Sequence, residues 1–414
     1  MNLIRTSFYS SISTAISFIS GFIVIKVVAV KIGPSGIAFV GQYQNTIAIL
    51  TMLATGAISA GVIKYLAEYS GDTEKQQKVI TTALSIVLFC SFFIAIIIIA
   101  FSNFLSKAAF HTTDYWQVYL LFGIFITIIS LNTLFTAVLN GLKEIRKLTI
   151  VNISGSMAGI LFTVFFAYTL GTKGVLIAGN FMALIVFIIN LFFLNQIRRF
   201  HWKPNFKNPN RGMTIKLMAF TLMSIFSGFL IPSTQLLVRD KIIKDFSLQQ
   251  AGYWQSVTKI SDYYLGFIIT VLSIYYLPRL SEISDKAELR KEILKGYKII
   301  LPAVGILAFA IWVCKGIILQ VLFTPEFLPM LPLFKYQLIG DFFKIGSWLL
   351  SFLMLAKAMT KTFIITEILF SISFVVLSYI LLDKFGIIGA TYSFAINYLL
   401  YWITMWFLMK RYIR

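Results

Sequence analysis

Residues Gln249–Leu280 read QQAGYWQSVTKISDYYLGFIITVLSIYYLPRL. Most of this stretch is apolar or aromatic, and it exceeds the ~20 residues that a helix needs to cross a bilayer. Lys259 and Asp262 stand near its centre. A charge at that depth costs roughly 2.5–3.5 kcal/mol on insertion scales, so it turns toward a bundle interior or an aqueous cavity and marks a pathway. The plainer reading is that the two side chains, three residues apart on one helix, neutralise each other. On either reading the stretch is one long membrane-spanning helix, and the rest of the chain must supply its surroundings.

Those surroundings are of the same kind. Of 414 residues, 58% are hydrophobic and only 13% are charged, whereas about a quarter of a soluble domain is charged. The chain is therefore read as an all-α polytopic membrane protein. Forty Phe and nineteen Tyr suit lipid-facing surfaces and interfacial belts. A net charge of +20 would point to nucleic acid in a soluble protein. Here it reads as Lys and Arg retained in cytoplasmic loops and drawn to anionic headgroups, with no nucleic-acid partner. Cys90 and Cys314 both lie in apolar runs and offer neither a disulfide framework nor metal-ligand spacing, so they read as small buried hydrophobes. His111 and His201 fall in loops. No metal and no cofactor is expected.

Apolar runs of the required length recur about twelve times. They cover approximately 7–30, 37–63, 79–101, 116–140, 149–170, 175–196, 215–238, 250–278, 299–323, 331–356, 362–382 and 387–409. The first is too long for the ~7–15-residue core of a cleaved signal and is read as a retained helix. Loop breakers fall between spans at Gly33-Pro34-Ser35-Gly36 and Gly171-Thr172-Lys173-Gly174. Residues 282–297 read as a surface amphipathic helix, with Ile283, Ala287, Ile293, Leu294 and Tyr297 on one face. Lys and Arg concentrate in the even-numbered loops, which places those loops and both termini in the cytoplasm. This implies a multi-pass protein of the bacterial inner membrane.

A weak duplication pairs Gly41-Gln42-Tyr43-Gln44 with Gly252-Tyr253-Trp254-Gln255, and Ile63-Lys64-Tyr65-Leu66 with Ile274-Tyr275-Tyr276-Leu277. It also pairs Gly174 with Gly386. Six spans per copy is an even number, so both copies share one orientation, with a pseudo-twofold axis along the membrane normal. The expected architecture is two pseudo-symmetric six-helix bundles around a central cleft. Its parts are an N-terminal bundle 1–197, a basic cytoplasmic linker 198–213 and a C-terminal bundle 214–414.

Polar residues at membrane depth give the candidate site. Lys26, Gln42, Gln44, Arg239, Gln255, Lys259 and Lys344 are the candidates for binding substrate. Lysine outnumbers acid inside the spans, and a net-positive cavity suits an anion such as phosphate. Lys315 and Lys335 lie nearer helix ends, where they can snorkel. Asp262, Asp341 and Glu367 are candidates for ion coupling, because a carboxylate desolvated near a lysine can exchange a proton during a transport cycle. There is no GxxxxGK[ST], no HExxH and no Ser/His/Asp arrangement, so no enzymatic activity is expected.

Several stretches carry a family resemblance over essentially the whole chain. They are KIGPSG at Lys31–Gly36, IKYLAEY at Ile63–Tyr69, YWQSVTKISDYYL and SIYYLPRLS within Trp254–Ser281, QLIGDFFKIG at Gln337–Gly346, and Ala356-Lys357-Ala358. On these the chain resembles the Wzx-type polysaccharide flippases of the multidrug/oligosaccharidyl-lipid/polysaccharide exporter superfamily. Lys26, Asp262, Asp341, Lys344, Lys357 and Glu367 match polar or charged positions of that family. Lys259 and Gln44 depart from it, as if a basic residue had moved from span 2 to span 8. The resemblance implies translocation of an undecaprenyl-pyrophosphate-linked oligosaccharide, an O-antigen or enterobacterial common antigen unit, by alternating access. It also implies a monomer, with a polymerase and a chain-length regulator as possible pathway partners. The competing readings are a drug exporter of the same superfamily, a polytopic glycosyltransferase or polymerase, and a non-transporting scaffold. Lysine excess disfavours the first, and short loops disfavour the second.

Overall fold

The computed structural model describes residues 3–197, 210–283, 285–357 and 359–410. Most of the basic linker expected at 198–213 and His201 lie outside them. Among the described residues the chain is helical throughout, with thirteen α-helices. They are α1 (Leu3–Ala54), α2 (Ser59–Glu68), α3 (Thr73–Ala100), α4 (Ser102–Phe110), α5 (Trp116–Gly141), α6 (Ile145–Asn195) and α7 (Arg211–Asp245). There follow α8 (Leu248–Val271), α9 (Leu277–Glu282), α10 (Lys286–Leu322), α11 (Leu333–Ala356), α12 (Thr360–Phe385) and α13 (Ile388–Leu408). Seven of them are long and apolar enough to cross a membrane by length and composition, and the protein is a multi-pass membrane protein.

Two helices each hold a pair of the expected spans. α1 bends at Gly33 (φ 64°) with Pro34 directly after it, and α6 bends at Gly171 (φ 57°). Sequence signals suggest four-to-six-residue loops there, but a single left-handed glycine is enough to turn the chain. Pro34 can open the next helix at once, since its missing N–H would have had no partner in a first turn. Conversely, the expected span 37–63 is interrupted at Thr55–Ile58, where Gly56 and Ala57 both have positive φ. The span 250–278 is interrupted by a π-helical segment at Leu272–Tyr276. The same long helix is thus broken once in each half.

Helix starts follow their caps. Asp72 accepts from the Lys75 backbone N–H at 3.0 Å, Ser247 from Gln250 at 3.1 Å and Asp285 from Glu288 at 2.8 Å. From the last of these caps α10 runs unbroken for 37 residues. The surface helix expected at 282–297 is therefore its first turns, and the buried face is Leu289, Glu292, Ile293 and Gly296, whereas Ala287 and Leu294 are exposed. No breaker separates the amphipathic turns from the apolar ones, so the helix continues.

The chain divides into two compact units. The first comprises residues up to Ile32 and Phe39–Pro232; the second comprises Gly33–Ala38 and the chain from Ser233 onward. In the first unit Val62, Leu66, Val79, Leu134, Val138 and Leu194 form one core, and Tyr43, Tyr119, Phe122 and Ile126 form another. In the second unit α8 to α13 pack around Leu265, Leu272, Ile293, Leu349, Leu353 and Met405. A further cluster joins Ala38, Val238, Trp254 and Phe394. Outward-facing Phe89, Phe92, Phe104 and Phe165 are more than half exposed, as side chains that meet lipid would be. Cys314 is among the exposed residues and Cys90 is half-buried, so neither is a core hydrophobe.

The duplication is written in the backbone at a register three residues from the one that sequence matching suggests. Gly386 (φ 62°) is the counterpart of Gly171, not of Gly174. Gly174 instead corresponds to Gly389. A Cβ on Gly174 would lie 2.1 Å from the Phe166 carbonyl oxygen, and one on Gly389 would lie 2.0 Å from that of Leu381. In both units the new helix starts tucked beneath a carbonyl of the preceding one, at a distance only glycine allows.

Candidate functional site

α8 presents Gln255, Lys259 and Asp262 at i, i+4 and i+7, which is one helical face. Gln255 is buried, Lys259 is partly buried and Asp262 is exposed. Among the described residues no hydrogen bond or ion pair joins Lys259 to Asp262. The i,i+3 neutralisation allowed by their spacing is not formed.

Arg239, near the end of α7, is 1% exposed. Its guanidinium donates to Gln255 Oε1 and lies 5.5 Å from the centre of the Trp254 ring. Arg239 and Gln255 are therefore brought together and braced by an aromatic face. A buried cation without such partners would be strongly disfavoured, so this contact also fixes α7 against α8.

The adjacent face of α8 carries Ser261 and Tyr264, and here α11 meets it. Asp341 is fully buried. It accepts from Ser261 Oγ at 2.6 Å and from the Tyr264 hydroxyl at 2.7 Å, both on Oδ2, and from Gln337 Nε2 at 3.4 Å on Oδ1. One turn on, the Lys344 ammonium stands 5.1, 5.6 and 5.7 Å from the rings of Trp348, Tyr398 and Phe394. Glu367 on α12 accepts from the Tyr401 hydroxyl at 3.3 Å, and that hydroxyl also lies 2.9 Å from Ser351 Oγ. Asp341, Lys344 and Glu367 thus belong to one polar layer, joined through hydroxyls and aromatic faces rather than by direct ion pairs. Lys357 lies apart from it: its ammonium donates to the Ile283 carbonyl at 2.6 Å, just past the end of α9.

Ser261, Tyr264, Trp348, Tyr398 and Tyr401 are absent from the sequence-derived candidates. In a chain so rich in tyrosine their hydroxyls read as interfacial belt. The available signal is spacing: Ser261 and Tyr264 lie three apart on the face next to Gln255 and Lys259, deep within the span.

In the first unit Lys26 is exposed on α1, and Gln42 is 2% exposed. Gln44 lines a recess of about 620 Å³ with Thr51, Thr55, Ser59, Thr133 and Ser224. A second cavity of about 410 Å³ lies among α1, α5 and α6, and both are lined by Ile47, Thr51 and Thr133. Among the described residues no acidic or basic side chain lines either cavity. Lys315 and Lys335 each lie beside a neighbouring ring, Trp312 at 5.3 Å and Tyr336 at 5.2 Å.

Comparison with known proteins agrees with this arrangement. Residues 3–284 match a family described as Polysaccharide biosynthesis protein. The chain is 29% identical over 405 residues to the Lipid III flippase of Escherichia coli (strain K12), covering 97% of this chain and 96% of that one. The Lipid III flippase of Shigella flexneri gives the same figures. Among solved structures, an inward-facing multidrug resistance MATE family transporter of the MOP superfamily superposes with a TM-score of 0.82 at 15% identity, over 97% of this chain and 94% of that one. An outward-facing one gives 0.74 at 15% identity, over 99% and 95%. At these identities the structural likeness is one of fold.

Proposed function

The chain belongs to the polysaccharide biosynthesis protein family, and on that footing we propose that it is a flippase for an undecaprenyl-pyrophosphate-linked oligosaccharide. The observation that carries this reading is the near full-length likeness, at 29% identity, to two Lipid III flippases. The physics is consistent with it. A diphosphate bearing sugars cannot cross hydrocarbon unaided, because unpaired charge and polar groups are costly to bury. Lys26 and Lys259, both at membrane depth and neither held in an ion pair among the described residues, would replace part of its hydration. Movement runs from the cytoplasmic to the periplasmic leaflet of the bacterial inner membrane, with both termini cytoplasmic, the protein acting as a monomer and delivering to the polymerase and chain-length regulator. The lysine excess argues against a cation exporter, the case its solved neighbours would otherwise suggest.

Two experiments test the reading. In a strain lacking a flippase for a defined repeat unit, the wild-type chain should restore surface polysaccharide. Lys259→Ala should reduce that rescue at least tenfold at equal membrane abundance, since a lost charge-assisted contact is worth about 1.5–3 kcal/mol. A scaffold would tolerate the change. Coupling is assigned to Asp262, the exposed carboxylate one turn from Lys259. In proteoliposomes Asp262→Asn should remove the dependence of translocation on an imposed pH gradient while leaving downhill exchange in place. Unchanged gradient dependence would exclude Asp262 from the coupling step.

A further inference from the structure

The cavity of about 410 Å³ in the first unit is large enough for one or two sugar residues and has the build of a small-molecule site: mostly apolar walls with a few converging polar groups. Tyr43, Thr51, Phe122, Asn132, Thr133 and Asn180 line it. Asn132 is fully engaged, donating to the Ala183 carbonyl at 2.8 Å and accepting from Asn190 Nδ2 at 3.2 Å. Tyr43 and Asn180 are different. They are 4% and 2% exposed, and the Tyr43 hydroxyl and Asn180 Nδ2 have no hydrogen-bond partner among the described residues. Buried polar groups in native proteins are nearly always paired, and one left unpaired calls for an explanation.

We propose that this cavity binds an uncharged, amide- or hydroxyl-bearing sugar unit of the transported lipid, with Asn180 and Tyr43 as the groups that read it. The chemistry of the wall narrows the occupant. No carboxylate is present to hold a cation and no ammonium or guanidinium to hold a phosphate. An acyl chain would leave both donors unpaired. A saccharide carrying an acetamido group offers a carbonyl acceptor to Asn180 Nδ2, a hydroxyl to Tyr43, and C–H faces to the Tyr43 and Phe122 rings, which meet edge to face at 6.2 Å. The adjoining recess lined by Gln44 and Ser224 is equally uncharged, so a further sugar would meet the same kind of surface. Charge on the lipid diphosphate is left to the cations outside this cavity. The inference rests on the flippase reading and adds to it where the sugars are read.

The test uses full-length protein in lipid nanodiscs and two probes: undecaprenyl diphosphate alone, and the same lipid carrying an oligosaccharide with an N-acetylated hexosamine. The sugar-bearing probe should bind at least tenfold tighter. Tyr43→Phe and Asn180→Leu should each reduce that preference roughly fivefold to tenfold, the value of one buried hydrogen bond, with affinity for the sugar-free lipid unchanged. Because Tyr43→Phe deletes a hydroxyl that has no partner, its melting temperature should hold or rise. It therefore carries the test if Asn180→Leu fails to fold. Variants that keep the full preference, or weaken both probes alike, overturn the sugar site, as does wild-type protein that binds the two probes equally. Wild-type protein that binds neither probe overturns the flippase reading itself.

Discussion

Gly252→Ala is expected to leave little folded protein in the membrane. Gly252 sits in the second turn of α8, where the helix lies against the backbone of Pro34. A Cβ there would be 1.9 Å from the Pro34 carbonyl oxygen, 2.4 Å from its carbonyl carbon and 2.9 Å from its Cα. Backbone cannot rotate aside as a side chain can. The ring fixes φ at Pro34, and Gly33 before it is already in the left-handed region. The helix must therefore shift, and Gln255, Lys259 and Ser261 shift with it. Overpacking of this kind typically costs about 1–3 kcal/mol, and more when main chain has to move. Gly316→Ala in α10 is the matched control, since a Cβ there meets nothing within 4 Å. It should be silent or stabilising by about 0.5–1 kcal/mol. Yield of monodisperse protein and its melting temperature report both. A Gly252→Ala protein that melts like the wild type would show that the contact with Pro34 is not rigid.

Asp341→Leu should have the second-largest effect, and its partners should reveal why. The substitution keeps the volume but removes the acceptor for Ser261 and Tyr264. Ser261 can turn to the carbonyl one turn back on its own helix. Tyr264 cannot, and a buried donor without an acceptor costs about 1–3 kcal/mol. Thermal stability should therefore fall by roughly that amount, and transport should be lost because α8 no longer docks on α11 in its native register. Adding Tyr264→Phe to the Asp341→Leu protein should recover stability, since an apolar pair leaves nothing unsatisfied. If the double variant is no more stable than the single, these hydroxyl–carboxylate bonds are not what holds the layer together.

Most of the architecture is legible in the chain. Hydropathy alone marks the apolar runs, since a bilayer demands about 20 apolar residues per helix whatever those residues touch. What sequence matching misses is where helices bend without a loop. Gly33 and Gly171 turn the chain in one residue, whereas a cluster of Gly, Pro, Ser and Thr reads as a longer break. The pairing of Gly174 with Gly386 shows the same limit. Matching letters cannot tell a glycine needed for its φ from one needed for lack of a Cβ, and the backbone separates Gly171 and Gly386 from Gly174 and Gly389 on that ground.

For the site, residue type and depth single out Lys26, Lys259, Asp262, Asp341 and Glu367, because charge inside an apolar run is expensive wherever it points. Which of them is caged and which is open is a matter of neighbours far away in the chain. Asp341 is enclosed by hydroxyls from α8, while Asp262, on the next face of that same helix, stays exposed. Two carboxylates alike in one dimension differ because a helix turns its side chains about 100° per residue, and only packing against α11 decides which face is closed. The linear chain settled that this is a multi-span protein with costly charges at depth. The tertiary contacts settled that Arg239 is a brace on Gln255, that Lys259 and Asp262 do not neutralise each other, and that the first unit holds a neutral cavity with two unpaired donors.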